Sequence, residues 1–239
     1  MDSVSARSGV QTLDRAVGIL DAVARAAPCT LNDLVRETGL ARPTAHRLAV
    51  ALEDHGLVVR DREGRFRLGG RLVGWGAAAG AALALVEPAR DILQRLSAAT
   101  GESAQLYVRE GDQRVCVVTH ERPTGLRDTV PLGAVMPLTR GSGGRVLLAW
   151  ADDADRFDVD PAVLAAVRAS GWAATVGERE AGVASVSAPV RVGSHVVAAL
   201  GVSGPAERFG PEPGSRFAAP VVGAASELER ARGAPVTTA

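Results

Sequence analysis

Residues 30–55 read TLNDLVRETGLARPTAHRLAVALEDH, and this stretch decides the fold. Thr30 is a suitable N-cap, and Leu31, Leu34 and Val35 give a first helix over 31–38 one apolar face. Gly39 supplies the positive φ that a tight helix C-terminus needs. Pro43 opens a second helix, where its missing N–H would be unpaired anyway. That helix runs to His55 and stops at Gly56, with Leu48, Ala51 and Leu52 apolar. Between the two faces lies the polar run Arg42-Pro43-Thr44-Ala45-His46-Arg47. It occupies the end of the second helix from which a helix-turn-helix presents side chains to the major groove.

Upstream, Thr12 reads as the N-cap of a helix carrying Leu13, Ala16, Val17, Leu20, Val23 and Ala24 at helical spacing, ended by Ala27-Pro28. Downstream, residues 57–60 and 65–68 alternate around the turn Asp61-Arg62-Glu63-Gly64, which predicts a β-hairpin. Three helices and a hairpin make a winged helix-turn-helix, with Phe66 and Leu68 facing the helices. Arg65 and Arg67 then point outward, with Arg62 at the tip. Such a wing lies along the phosphate backbone or in the minor groove. The expected DNA-contact set is Thr30, Arg42, Pro43, Thr44, Ala45, His46 and Arg47, with Arg62 and Arg65 on the wing. The alternative for these residues is a solvated polar surface on a helical bundle.

Net charge argues little by itself. The 239 residues carry 27 basic and 27 acidic side chains, and every basic one is Arg. Between Leu40 and Arg71, however, seven arginines face four acids, a local excess that suits a small DNA-contact patch. With 46% apolar and only 3% aromatic residues, the cores must be built from Ala, Val and Leu. Cys29 and Cys116 are far apart and lack metal or CxxC spacing, so they read as reduced thiols of a cytoplasmic protein. No signal peptide opens the chain, and the apolar run 72–86 is too short to cross a bilayer.

Beyond residue 70 the texture changes. A small-residue linker helix over 71–84 is followed by a helix over 85–100 with Ile92, Leu93 and Leu96 apolar. Strand-like runs come next at 104–108 and 114–118, with short extended pieces at 129–131 and 135–136. Helices are expected at 146–150, 161–170 and 217–232, and antiparallel strands at 183–190 and 196–202. The expected class is therefore α+β, since strands mix with helices without a βαβ rhythm. The expected organisation is a disordered start over 1–10, a winged helix over 11–70, the linker over 71–84, a second domain over 85–232 and a tail over 233–239.

Three segments of the second domain are candidate ligand contacts. Residues 137–145, PLTRGSGGR, place small residues before an apolar helix, where backbone N–H groups favour an anion; they are not a Walker loop. Arg127 and Asp128 are either a clamp for a zwitterion or a surface ion pair. Ser185, Ser187 and Ser203 are hydroxyls in an otherwise apolar sheet, with Glu178 and Glu180 just upstream. Catalysis finds no support. No G-x-S-x-G or H-E-x-x-H occurs, and His46, His55, His120 and His195 are scattered. No cofactor or metal is expected.

In this order and spacing, several motifs together resemble the IclR family of bacterial transcriptional regulators. They are residues 39–48 (GLARPTAHRL), Phe66-Arg67-Leu68-Gly69, Thr100-Gly101-Glu102, Met136-Pro137-Leu138, Gly182-Val183, Ala188-Pro189-Val190 and Val202-Ser203-Gly204-Pro205. Residues 125–131 and 177–180 look like the actinobacterial NdgR-type branch, tied to leucine and other amino-acid biosynthesis. The resemblance implies a linker helix that dimerises the headpieces and a profilin/GAF-like effector domain that pairs dimers into tetramers. It implies a small carboxylate or amino-acid effector held by Ser142 and Gly143 in the glycine segment, with Met136 and Gly144 beside them. Val183, Ser185, Gly201 and Ser203 then form the pocket walls. Ser185 stands where the family often has Cys, and Gly201, where a hydroxyl residue is common, implies room for a bulkier ligand. The expected function is a ligand-responsive regulator on a pseudo-palindromic DNA operator. The competing classes are an enzyme with an accessory winged helix and an architectural winged-helix protein.

Overall fold

The computed structural model describes residues 10–82 and 84–231. The chain divides into two compact units, residues 1–82 and 83–239. The expectations for the extreme N-terminus and for the tail fall on residues outside those described.

The first unit runs α1 (Gln11–Ala26), α2 (Leu31–Thr38), α3 (Arg42–Asp54), β1 (Val58–Arg60), β2 (Phe66–Leu68) and α4 (Arg71–Ala82). Its core joins Ile19, Val23, Leu34, Ala49, Leu52, Val58 and Phe66. Reciprocal backbone bonds between Cys29 and Phe66 (3.0 and 2.7 Å) fasten the hairpin to the α1–α2 turn. Gly39 caps α2 at φ 66°, as its sequence position predicts. Three details differ from the sequence reading. Thr12 lies inside α1, whose N-cap is Val10. The buried stripe of α1 is Ile19, Ala22 and Val23, while Leu13 and Val17 are exposed; this helix is apolar on two sides, so periodicity alone does not choose between them. Leu68 is 41% exposed, because it sits at the open end of a three-residue strand and only Phe66 reaches the helices.

Thr30 begins α2 through a reciprocal cap. Its hydroxyl accepts from the Asp33 N–H (3.3 Å), and Asp33 accepts from the Thr30 N–H (2.9 Å). Thr30→Ala is expected to cost the headpiece about 1 kcal/mol in a denaturant melt. The bonds the Asp33 carboxylate accepts, from the Thr30 backbone first, then the Thr30 hydroxyl and Arg36, lower its pKa from 3.8 to about 2. A depressed carboxyl stabilises the fold fully above its unfolded value and loses that contribution as pH falls through the folded one. The melting temperature of Asp33→Asn should therefore change less than that of the parent between about pH 4 and pH 2.

The second unit runs α5 (Val86–Thr100), β3 (Ser103–Glu110), β4 (Gln113–His120), β5 (Val135–Pro137), α6 (Ser142–Ala149), a 3-10 turn (Ala154–Arg156) and α7 (Pro161–Ser170). It continues with β6 (Ala173–Val176), β7 (Val183–Val192), β8 (His195–Pro205), α8 (Ala206–Phe209) and α9 (Pro213–Ala231). Its six strands form one antiparallel sheet in the order β5-β4-β3-β8-β7-β6. Strand alternation sorts the side chains onto two layers. Leu106, Val108, Ala184, Val186, Ala188, Leu200 and Val202 pack under α5 and α9. Tyr107, Cys116 and Ala199 pack under α6 and α7. Residues 129–131 form no strand, and β6 and α8 went unforeseen. Ser142, Gly143 and Gly144 belong to the first turn of α6 and not to a loop before it. Among the described residues no helix is long and apolar enough to cross a membrane.

Candidate functional site

In the first unit, α3 presents Arg42, Pro43, His46 and Arg47 to solvent, with Thr44 half-buried. Ala45 is fully buried against the headpiece core and is not a surface contact; it points inward because the core stripe of α3 runs Ala45-Ala49-Leu52. Arg42 donates to Asn32 of α2, which fixes its head at the helix junction. The Thr30 hydroxyl is engaged in the α2 cap. On the wing, Arg65 is held by Asp61 (2.8 Å) and Glu63 (3.2 Å), and Arg60 by Glu53 (2.9 Å). Arg47, Arg62 and Arg67 make no ion pair among the described residues. Arg42 makes none either, since Asn32 is neutral, so these four arginines of the surface keep their charge.

Arg47→Ala is therefore expected to weaken specific DNA binding by roughly 1–3 kcal/mol in a competition gel shift. Arg62→Ala should instead lower the slope of log affinity against log salt by about 0.9, whatever the sequence. Arg65→Ala should move that slope less, since Arg65 is already neutralised by Asp61 and Glu63.

In the second unit a cavity opens between the sheet and the N-terminal turn of α6, lined by Gln105, Tyr107, Arg114, Gly141, Ser142, Gly143, Arg179, Ser185, Ser187, Val202 and Ser203. About 20 Å³ of it is open to the centre of a water molecule, room for one or two waters. A molecule larger than that fits only if part of the wall moves. Four hydroxyls run in a chain along it: Thr175 to Ser185 (3.0 Å), Ser185 to Ser142 (2.8 Å) and Ser142 to Ser187 (2.7 Å). Gly201 leaves no spare room, because a Cβ there would strike Ser187 Oγ and the Val186 carbonyl. The space expected for a bulkier ligand is occupied by the hydroxyl that bonds Ser142.

The central charge of the cavity is Arg114, which is 2% exposed. Its guanidinium donates to the backbone carbonyls of Pro137 and Arg140 (2.6 Å for Arg140), and it lies over the Tyr107 ring at 5.4 Å. It forms no ion pair among the described residues, and its Nε has no hydrogen-bond partner. Burial pulls its pKa down, and neighbouring Arg179 adds to that effect while Tyr107 opposes it. Burial likewise raises the Tyr107 phenol and pushes the Cys116 thiol up to about 12. A desolvated cation without an anion is costly, and the chemistry that relieves it is a carboxylate.

The segment 177–182 closes one side of this cavity. Arg179 bonds Asp128 Oδ1 at 2.5 Å, and Asp128 Oδ2 is buried without a partner. Glu178 accepts from the Gly141 N–H (3.1 Å) and pairs with Arg145. Arg127 turns away to Glu121 (2.8 Å), so Arg127 and Asp128 do not form one clamp; adjacent residues on an extended backbone point to opposite sides. Glu178, Glu180 and Val183 do not line the cavity. Met136 stands behind Arg114, its sulfur 3.7 Å from the guanidinium. Gly144 also lies outside the lining: a Cβ there would collide with the Leu138 carbonyl and come within 2.8 Å of Arg114 Nη1. Ser142, Gly143, Ser185 and Ser203 do meet in the cavity.

Ser187, a candidate from the sequence, lines the cavity as well; Gln105, Tyr107, Arg114, Arg179 and Val202 complete it, and none of these five is marked by the sequence as a ligand contact. Gln105 interrupts the apolar run of β3, a polar residue at an inward position, and that was the available signal. Arg114 beside a tight turn looks like a solvated strand end, and nothing local distinguishes it.

Comparison with known proteins agrees with both halves. The description "IclR helix-turn-helix domain" matches residues 12–62, and "Bacterial transcriptional regulator IclR C-terminal" matches residues 78–158 and 161–230. The transcriptional regulator BhcR of Paracoccus denitrificans is 31% identical, over 92% of this chain and 86% of its own. The glycerol operon regulatory protein of Streptomyces coelicolor is 33% identical, over 84% of this chain and 87% of its own. An IclR homologue from Microbacterium hydrocarbonoxydans, crystallised with 4-hydroxybenzoate, superposes with a TM-score of 0.73 at 24% identity, over 92% of this chain and 98% of that one.

Proposed function

The chain belongs to the IclR family of bacterial transcriptional regulators, DNA-binding proteins and not enzymes, and from that premise we propose that a small carboxylate bound under α6 controls its operator binding. The observation that carries this reading is Arg114, a buried guanidinium with no anionic partner among the described residues, facing a cavity beside a helix N-terminus. The bound 4-hydroxybenzoate of the Microbacterium homologue supports an acid as the ligand class.

DNA contact rests on α3 and the wing, with Arg42, Arg47, Arg62 and Arg67 carrying the free charge. The exposed Leu13 and Val17 of α1, with Val73 and Trp75 of α4, support a homodimer whose recognition helices enter major grooves about 34 Å apart on a pseudo-palindromic operator. Dimers of dimers are the further state to be tested. The resemblance of residues 125–131 and 177–180 to the amino-acid-biosynthesis branch makes those genes, leucine synthesis first, the target class we propose. A cytoplasmic location follows from that role. The effector acts by its differential affinity for two arrangements of the protein, typically ~1–3 kcal/mol of coupling.

A thermal-shift screen over amino acids, keto acids and hydroxy acids, followed by gel shifts on the promoter upstream of its own gene, tests the reading. We expect at least one acid to raise the melting temperature and to change the gel shift, both effects vanishing when Arg114 is replaced. Acids that bind equally well without Arg114 would overturn it.

A further inference from the structure

A second buried polar group faces the same cavity and is left unspent. Gln105 is 1% exposed, its Oε1 accepts from Ser203 Oγ (3.1 Å), and its Nε2 has no partner. Directly across the strand pair stands Thr119, whose Oγ1 is also buried and unpartnered. Cross-strand partners share one face of a sheet, so Thr119 stands beside Gln105 on the cavity face, just outside the lining itself. Leaving either unpaired is unfavourable, a cost a bound polar group would remove.

We infer that the effector carries a hydroxyl in addition to its carboxylate, and that Gln105 with Thr119 receives that hydroxyl while Arg114 holds the carboxylate. This inference rests on the carboxylate reading above. A hydroxyl suits the pair better than a carbonyl. The Gln105 amide can be turned over, presenting either its N–H or its oxygen, because the Ser203 hydroxyl can accept as well as donate. Only a group that both donates and accepts is satisfied in either setting, and the Thr119 hydroxyl has the same dual character.

The geometry also sets the spacing. Gln105 and Tyr107 are two residues apart on β3, roughly 7 Å, and the Arg114 guanidinium lies over the Tyr107 ring. The hydroxyl therefore sits several bonds from the carboxylate and not on the neighbouring carbon. Ser203 fixes the amide that reads it, so its own place is that of a positioning residue.

The test uses the full chain and matched acids: propanoate with lactate, butanoate with γ-hydroxybutyrate, phenylacetate with para-hydroxyphenylacetate. Dissociation constants are measured by calorimetry for the parent protein, Gln105→Leu, Thr119→Val and Arg114→Met. We expect the distal hydroxyl to tighten binding at least about tenfold in the second or third pair, but not in lactate. Gln105→Leu should erase that preference, bringing the affinity ratio within each pair to about one, and Thr119→Val, nearly isosteric, should reduce it without disturbing the fold. Arg114→Met should weaken both members of each pair alike. Plain acids that bind through Arg114 with no gain from the hydroxyl, or a gain that survives Gln105→Leu and Thr119→Val, would overturn this inference and leave the carboxylate reading standing. If no acid binds, or acids bind independently of Arg114, both fall together.

Discussion

Arg114→Met is expected to weaken effector binding at least about thirtyfold while the effector unit melts within a few degrees of the parent. The two outcomes separate because the guanidinium is buried at a cost that the protein alone does not offset. Its cation has two carbonyl acceptors and an aromatic face, but no carboxylate among the described residues. Removing it relieves a desolvation penalty of several kcal/mol and leaves the Pro137 and Arg140 carbonyls unpaired, at about 1–3 kcal/mol each. Those terms oppose each other, so stability changes little. Binding has no such compensation, since truncating one member of a buried charge pair costs roughly 2–5 kcal/mol. Calorimetry with the acid giving the largest thermal shift decides the matter. Affinity within a factor of a few would place the carboxylate elsewhere. Arg114→Lys keeps the charge but not the planar fork, and should recover part of the loss.

Gly144→Ala is expected to destabilise the effector unit by about 2–3 kcal/mol, near the upper end for one added methyl group. The new Cβ would occupy the space of the Leu138 carbonyl and approach Arg114 Nη1 at 2.8 Å. Backbone cannot rotate aside as a side chain can, so α6 would have to shift off the sheet. Gly143→Ala is the control: its Cβ meets the Tyr107 ring at 3.1 Å and Arg114 Cδ at 3.8 Å. There the cost to stability is smaller and the cost to ligand entry larger. Denaturant melts of the full chain, fitted with separate transitions for the two units, measure both. A Gly144→Ala transition within about 0.5 kcal/mol of the parent would show that the helix has slack at this point.

Those two glycines show what the sequence can and cannot say. The run GSGGR was legible as a close approach of backbone to something, but not what approached. Gly143 faces the cavity and Gly144 a carbonyl, and only the angle at which α6 meets β5 and the segment after it distinguishes them. The headpiece was more legible, since capping, helix stops and hairpin are local and each is written in neighbouring residues. Ala45 was misplaced there for a tertiary reason: its neighbours are polar, but its own side of α3 is the core side. In the effector unit, Ser185, Ser187 and Ser203 are legible because hydroxyls in apolar strands need partners, and Ser142 through the glycine run and the family resemblance. Arg114 was missed because its unusual property is the absence of a partner, which no local pattern encodes. The Arg127–Asp128 clamp failed for the opposite reason, adjacency in sequence having been read as adjacency in space.

The alternation of β3, β7 and β8 has a bearing on how such a sensor changes its taste. Odd-numbered positions, Gln105 and Tyr107, Ser185 and Ser187, Gly201 and Ser203, stand on the cavity side. Even-numbered neighbours, Leu106, Val186 and Leu200, belong to the layer under α5 and α9, and only Val202 of that layer also borders the cavity among the described residues. Fold and preference are thus written on interleaved letters of the same strands. A library randomised only at the odd positions would draw new ligand preferences from an unaltered scaffold, whereas one randomised at the even positions would mostly yield chains that do not fold.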